Sequence, residues 1–293
     1  MRVPLIIDCD PGIDDFLSII LINHKSFLNP KLITAVDGSV DLDKAYRNAK
    51  TIAKILDMPI PIAKAKKDVN FDKRCEYKHG EDGFLGHSKD FSDDILPSNL
   101  DEDAITKMKE VLSKKEKRKF KILMTGPSTN IRKLFNKYPN LVKNIEEIAL
   151  CEDNFDYDVT ENEILIDTNL DIDSIKQLLT TKIKFSIVSN ELIAKSKISS
   201  KTVEEIGNIH SQLSSMAYDM IKEFYNRKAD IADTLAALSL SNPEYFENEI
   251  KSFKVKLRRE NGDIYSLENE QKIYYLKNIN QYNYEKEMLK MFF

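Results

Sequence analysis

Four carboxylates lie within eight residues near the start of the chain, in the acidic segment Asp8-Cys9-Asp10-Pro11-Gly12-Ile13-Asp14-Asp15. Charges of one sign at this density repel one another unless a cation lies among them. Carboxylate oxygens are the ligands that the hard cations Ca²⁺ and Mg²⁺ prefer in proteins. The acidic segment therefore predicts a site for a hard divalent cation.

Helix capping is the alternative role for two of these acids. Asp14 and Asp15 could cap the helix that follows and interact favourably with its dipole. Capping does not explain Asp8 and Asp10, which occupy alternate positions at the end of a strand pattern. We therefore favour a functional metal site over capping alone.

The neighbouring elements place the acidic segment at the edge of a sheet. The apolar run Val3–Ile7 predicts a buried strand, Pro11-Gly12 predicts a turn, and a helical pattern begins at Phe16. Open α/β folds place their sites at the carboxyl ends of parallel strands. We expect the four acids to lie at such an edge.

Strand and helix patterns alternate over the first two-thirds of the chain. The predicted strands are Val3–Ile7, Leu32–Val36, Pro59–Ala63, Phe120–Met124, Ile145–Leu150 and Lys184–Val188. The predicted helices are Phe16–Phe27, Leu42–Leu56, Asp103–Leu112, Thr129–Phe135 and Ile172–Leu179. This alternation predicts an α/β fold, with a mainly parallel sheet wound with helices in a Rossmann-like manner.

Beyond Ser200 the pattern changes to a helical and β-hairpin C-terminal portion. Helices are predicted at Val203–Tyr225, Ile231–Leu240 and Tyr284–Met291, and strands at Phe253–Arg258, Ile264–Leu267 and Lys272–Leu276. Asn261-Gly262 is a hairpin turn signal between the first two of these strands. We expect residues 1–293 to form a single domain.

A long polar segment, from about residue 65 to residue 97, contains the sequence His79-Gly80-Glu81-Asp82-Gly83-Phe84-Leu85-Gly86. Its three glycines suggest a backbone that bends close to a ligand. The alternative is a surface loop without a chemical role.

Composition excludes several classes of protein. The chain has 42% hydrophobic and 31% charged residues, and its net charge of −4 gives no electrostatic footprint for nucleic acid. Its three cysteines lack the spacing of a disulfide framework or a zinc site. The sequence also contains no signal-peptide pattern and no apolar run of membrane-spanning length. We expect a cytoplasmic protein that binds neither nucleic acid nor membrane.

A second candidate segment, Thr125-Gly126-Pro127-Ser128-Thr129-Asn130, follows the predicted strand Phe120–Met124. Its Gly-Pro turn exposes the last carbonyls of the strand, and Ser128 or Thr129 can cap the next helix.

Together these segments resemble the inosine–uridine nucleoside hydrolase family, whose signature the acidic segment closely matches. Supporting matches follow in the family's order: Arg47-Asn48-Ala49, His79-Gly80-x-Asp82-Gly83, Thr125-Gly126, Thr129-Asn130 and Asp233. The resemblance implies a Ca²⁺-dependent ribonucleoside N-glycosidase of purine and pyrimidine salvage. It also implies a homodimer or a homotetramer, because members are commonly one or the other.

The resemblance further implies a role for individual residues. The metal ligands would be Asp10, Asp15, the backbone carbonyl of Thr125, and Asp233. Metal-bound water would attack C1′ of the ribose directly, with Asp10 as general base and no covalent sugar intermediate. The substrate contacts would be Asp14, Ser39, His79 and Asp167, while Asp8 would support the metal site from behind.

Departures from the family pattern fall on the ribose and leaving-group contacts. Ser39 stands where the family has Asn. In an alignment without gaps, Leu165 replaces a sugar-binding Glu and Asp167 replaces an Asn. If the alignment is shifted by two residues, Asn169 takes the place of that Asn. Cys151-Glu152-Asp153-Asn154 replaces a glycine-rich segment. Ala232 replaces the His proposed as leaving-group acid in the purine-active members. We therefore expect an altered substrate preference.

Other residues could protonate the departing base. His79 is one candidate, and Tyr218 and Tyr225 are others, although core packing is the favoured role for both tyrosines. His210 falls within an apolar helical stripe, which favours a structural role.

Two further hypotheses compete with an active hydrolase. One is a catalytically silent member of the same family that binds a nucleoside. The other is a phosphatase of the haloacid dehalogenase type, which also begins with Asp-x-Asp after a strand. That class has Thr or Val two residues after the second Asp, where this chain has Gly12. We therefore disfavour this hypothesis.

Overall fold

The computed structural model describes residues 2–66, 76–87, 102–151, 157–159, 163–168, 183–259 and 264–293. The predicted helix Ile172–Leu179, the predicted turn Asn261-Gly262 and the alternative contact Asn169 lie outside these ranges, as does Cys75. No helix in the described part of the chain combines the length and apolar composition of a membrane span.

Strands and helices alternate along the described residues, and we number them in chain order. The strands are β1 (Val3–Cys9), β2 (Leu28–Ala35), β3 (Ile62–Lys64), β4 (Phe120–Met124), β5 (Ile145–Cys151), β6 (Tyr157–Val159), β7 (Glu163–Thr168), β8 (Lys184–Val188), β9 (Phe246–Arg259) and β10 (Ile264–Ile279). The helices are α1 (Ile13–His24), α2 (Leu42–Ile55), α3 (Glu76–His79), α4 (Ala104–Ser113), α5 (Thr129–Lys137), α6 (Asn190–Lys195), α7 (Ser200–Gly207), α8 (Gln212–Asn226), α9 (Asp233–Ser241) and α10 (Gln281–Lys290). Short 3₁₀ helices span Pro139–Asn144 and Pro243–Tyr245.

The described strands form one ten-stranded sheet in the order β3-β2-β1-β4-β5-β8-β10-β9-β7-β6. Every neighbouring pair from β3 to β10 is parallel. The β9–β10 and β6–β7 pairs are antiparallel, and β7 pairs with β9 in parallel. The α/β fold with a mainly parallel sheet is therefore confirmed, and the C-terminal hairpin joins the main sheet.

The strand that carries the first acids is buried on both faces of the sheet. Val3, Leu5, Ile7 and Cys9 pack with α1 and with helices α7 to α10 in one hydrophobic cluster. Ile6, between them, packs on the opposite face with α4 and α5 in a second cluster. A central strand of a parallel sheet covered by helices is expected to be apolar throughout. This packing fixes where the acidic segment begins.

The predicted helix Val203–Tyr225 is wrong, because the structure contains two helices there. Helix α7 ends at Gly207 and α8 begins at Gln212. Ser211 caps α8 in a capping box with Ser214, which starts a new helix at this point. His210 lies between the helices, exposed and with a φ of +57°, so the interpretation of His210 as part of an apolar helical stripe is also wrong.

Two predicted strands are a single strand. Ile264–Leu267 and Lys272–Leu276 both belong to β10, which runs unbroken from Ile264 to Ile279. Its pairing with β9 shifts register between Ser266 and Glu270. The polar residues at this shift obscured the continuity of the strand in the sequence.

A buried ion network crosses the central strands. The Glu147 carboxylate binds Lys121 Nζ at 2.7 Å and Lys184 Nζ at 2.8 Å, and it accepts a hydrogen bond from Ser186 Oγ. Lys121 Nζ also donates to the Leu240 carbonyl at the end of α9. Burial by itself raises the pKa of Glu147, but the two lysines more than offset it and hold this pKa below its ordinary value.

We expect Glu147→Gln to lower the free energy of unfolding by about 3–5 kcal/mol at neutral pH, because it leaves the buried Lys121 without its counter-ion. A depressed folded-state pKa contributes stability above the unfolded-state value, and this contribution disappears as the pH falls through the folded-state pKa. The difference between wild type and variant should therefore shrink below about pH 4.5. Urea unfolding at several pH values measures this difference. The control Glu191→Gln removes an exposed ion pair with Lys195 and should have little effect.

Candidate active site

The acidic segment forms the connection between β1 and α1. Gly12 is the N-cap of α1, and its N–H donates to Asp15 Oδ2 at 3.0 Å. The other oxygen of Asp15 accepts a hydrogen bond from Thr125 Oγ1 at 2.5 Å, at the end of the neighbouring β4. Asp15 therefore caps its helix and also connects the two strand ends. The sequence did not indicate a role for the Thr125 hydroxyl.

A group of carboxylates that could hold a metal ion lies at this edge of the sheet. Asp14, Asp15 and Asp233 each place one carboxylate oxygen within 4.8 Å of the others. Asp233 reaches the group from the first residue of α9, about 220 residues further along the chain. The structure thus brings together Asp15 and Asp233, two of the metal ligands that the resemblance implies, and their role as ligands stays a prediction. Asp14, which the resemblance made a ribose contact, lies in the same group.

Asp10 lies beside this group and not within it. Its Oδ2 accepts a short hydrogen bond from the Ser39 N–H. A Cβ at Gly38 would come within 2.0 Å of the same oxygen, and a Cβ at Gly126 within 3.1 Å of Oδ1. The carboxylate is therefore enclosed between two glycines that cannot be enlarged without moving it. Ser39, predicted as a substrate contact, orients Asp10 through its backbone.

Asp8 is held behind the other acids by two polar side chains. Its Oδ1 accepts hydrogen bonds from Thr34 Oγ1 at 2.6 Å and from Asn130 Nδ2 at 2.8 Å. Burial raises the pKa of Asp8 to about 7 in spite of these bonds. Its Oδ2 is buried and finds no hydrogen-bond donor among the described residues. Neither Thr34 nor its contact could be found from the sequence, because β2 meets β1 only in the folded sheet.

Burial and mutual repulsion favour the protonated forms of these acids. The pKa of Asp15 rises to about 7, mainly through burial and then through Asp14. The pKa of Asp10 also rises well above its ordinary value, through burial and then through Asp15. A divalent cation would reverse this tendency, because it stabilises the charged carboxylates. Hard oxygen donors, close spacing and an unpaired buried oxygen on Asp8 all fit such a cation.

His79 contacts the acidic segment through its ring. Its Nδ1 accepts a hydrogen bond from the Ile13 N–H at 3.2 Å and lies 3.8 Å from Asp14 Oδ1. Its ring packs against Phe224 with centroids 5.1 Å apart. Burial lowers the pKa of His79 to about 4, although Asp15 opposes this shift. The imidazole is therefore neutral at physiological pH, and its role as a substrate contact stays a prediction.

The two candidate tyrosines use their hydroxyls elsewhere. Tyr225 accepts a hydrogen bond from the Ile198 N–H at 2.9 Å, and burial raises its pKa to about 12. The Tyr218 hydroxyl binds Glu204 and Lys222 at the surface of α7 and α8. Both rings pack against the larger hydrophobic cluster, as the packing interpretation expected.

Asp167 is placed far along the sheet. It belongs to β7, which is the sixth strand from β1 in the sheet order. At about 4.8 Å for each strand, the backbones are separated by roughly 30 Å. The sheet order therefore does not bring Asp167 beside the acidic segment, and its contact with substrate stays a prediction.

Cys151 is an additional neighbour of the carboxylate group. It ends β5, and its buried thiol lies 3.9 Å from Asp233 Oδ1. Ala232, which replaces the family's His, is the N-cap of α9 and makes no side-chain capping bond. Asp233 thus has the Cys151 thiol beside it in space and Ala232 before it in the chain.

Fold and site together define an α/β protein whose acidic sheet edge is suited to a metal ion. The family model described as inosine-uridine preferring nucleoside hydrolase matches residues 5–285. The chain therefore belongs to this family, and the resemblance in its motifs is confirmed.

Curated relatives match about half of the chain. The non-specific ribonucleoside hydrolase RihC of Escherichia coli is 30% identical over 152 residues, which cover 51% of this chain and 49% of RihC. The pyrimidine-specific ribonucleoside hydrolase RihA of Salmonella arizonae is 31% identical over 153 residues, which cover 51% and 48%. The chain thus matches about half the length of these relatives.

Solved structures support the fold over the whole chain. The plant nucleoside hydrolase PpNRh1 superposes with a TM-score of 0.79 and 14% identity, and the match covers 100% of this chain and 99% of that one. The purine-preferring ribonucleoside hydrolase of Gardnerella vaginalis gives 0.77 and 17%, with 99% and 98% covered. At these identities the likeness concerns the fold alone.

We expect Asp233→Asn and Asp14→Asn each to weaken divalent-cation binding by at least about tenfold, since each removes a charged oxygen donor from the group. Calorimetric titration with Ca²⁺ and Mn²⁺ measures the affinity. Asp43→Asn, at an exposed carboxylate near the start of α2, is the matched control and should bind as wild type does. Unchanged affinity in Asp233→Asn would show that the carboxylate group is not the cation site.

Proposed function

We propose that this protein is a Ca²⁺-dependent hydrolase that cleaves the N-glycosidic bond of ribonucleosides. The observation that carries the proposal is the group formed by Asp14, Asp15 and Asp233, with Asp10 beside it. Family membership supports ribonucleosides as the substrate class. The proposed setting is nucleoside salvage in the cytoplasm, by a homodimer or a homotetramer.

The oxygen donors of the site would hold the cation. The motif resemblance implies Asp15 and Asp233 as ligands and their closeness supports this, while Asp10, Asp14 and the Thr125 carbonyl would complete the set. When bound, Ca²⁺ supplies Lewis-acid chemistry that lowers the pKa of a water molecule. The hydrogen bond from Thr125 Oγ1 would fix the orientation of the Asp15 carboxylate before substrate binds.

Asp10 is the proposed general base. The Ser39 N–H, Gly38 and Gly126 hold its carboxylate in one orientation, so one oxygen can accept the proton of the attacking water. Asp14 is the most exposed acid of the group, with 16% of its side chain accessible. It is the acid best placed to accept a hydrogen bond from a ribose hydroxyl.

Departure of the base is the step for which this chain differs most from the family pattern. Ala232 offers no proton where the purine-active members carry His. His79 is neutral at physiological pH, and its Nδ1 accepts a hydrogen bond from the Ile13 N–H. The Tyr225 hydroxyl has a raised pKa, which makes it a weaker acid. We therefore propose a preference for ribosides whose leaving group departs without protonation.

A catalytically silent, nucleoside-binding protein is the second candidate function. The same Ala232 favours it, because general acid catalysis contributes about 10²–10⁴-fold to rate. Tight nucleoside binding in calorimetry, without ribose release, would support this alternative.

We expect purified protein with millimolar Ca²⁺ to release ribose from at least one of a panel of purine, pyrimidine and nicotinamide nucleosides. Asp10→Asn should lower kcat by about 10²–10⁴-fold, because it removes the general base. A reducing-sugar assay measures both, with Asp43→Asn as control. Release of no ribose from any nucleoside, or full activity of Asp10→Asn, would contradict the proposal.

We also expect the rate to depend strongly on the leaving group. A 4-nitrophenyl riboside and nicotinamide riboside should be cleaved at least about tenfold faster than inosine, since neither leaving group needs a proton. Ala232→His should narrow this difference by raising the rate with inosine. Equal wild-type rates for the three substrates would show that another group protonates the base.

A further inference from the structure

The glycine loop (residues 79–86) packs directly against the acidic segment, and Asn48 of α2 lies between the two. The Asn48 side chain is buried, with 2% of its surface exposed. Its Nδ2 donates to the Pro11 carbonyl at 2.9 Å and to the Asp82 carbonyl at 3.0 Å. An amide nitrogen carries two hydrogens, so each can serve one carbonyl. A single side chain therefore joins the acidic segment to the glycine loop.

The backbone of the acidic segment depends on such contacts at the point where it turns. The Pro11 carbonyl is held by Asn48, the Gly12 N–H by Asp15, and the Ile13 N–H by His79. Two of these three partners come from outside the segment. Asp14 and Asp15 follow the turn immediately, so its position decides where their carboxylates lie.

The glycine loop folds around the side chain of Asp82. Asp82 Oδ1 accepts hydrogen bonds from the N–H groups of Phe84 and Gly86, both at 2.9 Å. Phe84 is fully buried and packs against Phe16 of α1, with ring centroids 5.7 Å apart. The loop is thus held by its own hydrogen bonds and by packing on α1, next to the acidic segment.

Helix α2 and the residues before it hold the acidic segment at two points. The Ser39 N–H binds Asp10 from the connection that precedes α2, and Asn48 binds Pro11 from within the helix. Displacement of α2 would therefore move Asp10 and the turn together. This coupling involves no residue of the carboxylate group itself.

We propose that Asn48 is a positioning residue, which sets the acidic segment in the geometry required for cation binding. Without its amide, the carbonyls of Pro11 and Asp82 lose their shared donor, and the segment is released from the glycine loop. Supporting contacts of this kind typically change metal affinity or activity by 10–100-fold when they are removed. The kinetic part of this inference rests on the proposed function, whereas the part on cation binding does not.

Two glycines of the loop provide a matched test. Gly83 and Gly86 both have a positive φ, +86° and +88° respectively. A Cβ at Gly83 would come within 2.6 Å of Asn48 Nδ2, whereas a Cβ at Gly86 would meet no atom within 4 Å. Alanine at either position is therefore held at a positive φ that L side chains disfavour. Only Gly83→Ala also displaces the Asn48 amide.

The experiment compares Gly83→Ala with Gly86→Ala, and Asn48→Leu with Asn144→Leu. Asn144 donates its amide to the Leu112 carbonyl at the opposite end of the sheet, before β5. Calorimetric titration with Ca²⁺, thermal unfolding, and kcat and KM for the best nucleoside are measured for each variant. We expect Gly83→Ala and Asn48→Leu to weaken Ca²⁺ binding by about 10–100-fold and to lower kcat. The Gly86→Ala and Asn144→Leu controls should keep wild-type affinity, although their Tm values fall.

Wild-type Ca²⁺ affinity in Gly83→Ala and Asn48→Leu, with only a lower Tm, would overturn the proposal. Should Asn48→Leu not fold, Gly83→Ala decides the question. A wild type that binds no divalent cation would overturn the Asn48 proposal and the proposed function together. A wild type that binds Ca²⁺ but releases no ribose would refute the proposed function alone, and the titrations would still decide the role of Asn48.

Discussion

Repulsion between buried carboxylates at one edge of the sheet is the constraint on which the rest of the site depends. Five acids converge where β1 ends: Asp8, Asp10, Asp14, Asp15 and Asp233. A buried charge is costly unless it is paired or fully hydrogen-bonded. Two polar side chains donate to one oxygen of Asp8, and Asp15 accepts hydrogen bonds from the Gly12 N–H and the Thr125 hydroxyl. One carboxylate oxygen each of Asp14, Asp15 and Asp233 lies within 4.8 Å of the others, and a cation bound there would relieve the repulsion.

The same constraint explains the small residues around the site. Gly38 and Gly126 lie so close to Asp10 that a methyl group on either would contact its carboxylate, and Gly12 has the His79 ring at a similar distance. Close approach lets backbone N–H groups and ring nitrogens reach the acidic segment directly. Oriented backbone dipoles of this kind stabilise negative charge without introducing mobile side chains. The glycines therefore allow polar groups to approach the carboxylates closely, in addition to forming the turns.

How much the sequence revealed depends on the range of each interaction. Strand β4 and strand β8 were predicted at their observed bounds, because apolar periodicity is local. The break at His210 was missed, because the capping residue Ser211 lies within a continuous apolar pattern. Contacts such as Thr34 with Asp8, or Asn48 with Pro11, join residues about 26 and 37 positions apart, and no spacing rule reveals them. Only the motif resemblance pointed to Asp233, which the structure brings beside Asp14 and Asp15 from a distant part of the chain.

Asp15 and Ala232 differ in how far the fold depends on their side chains. Asp15 caps α1 and binds Thr125, so its replacement disturbs the fold as well as the chemistry. Ala232 is the buried N-cap of α9 and makes no side-chain bond, so the start of α9 does not depend on a capping side chain. The bonds that hold Asp15 therefore do not involve position 232. In this chain Ala232 directly precedes Asp233, so under the proposed function the departure of the base would be governed by residues outside the carboxylate group.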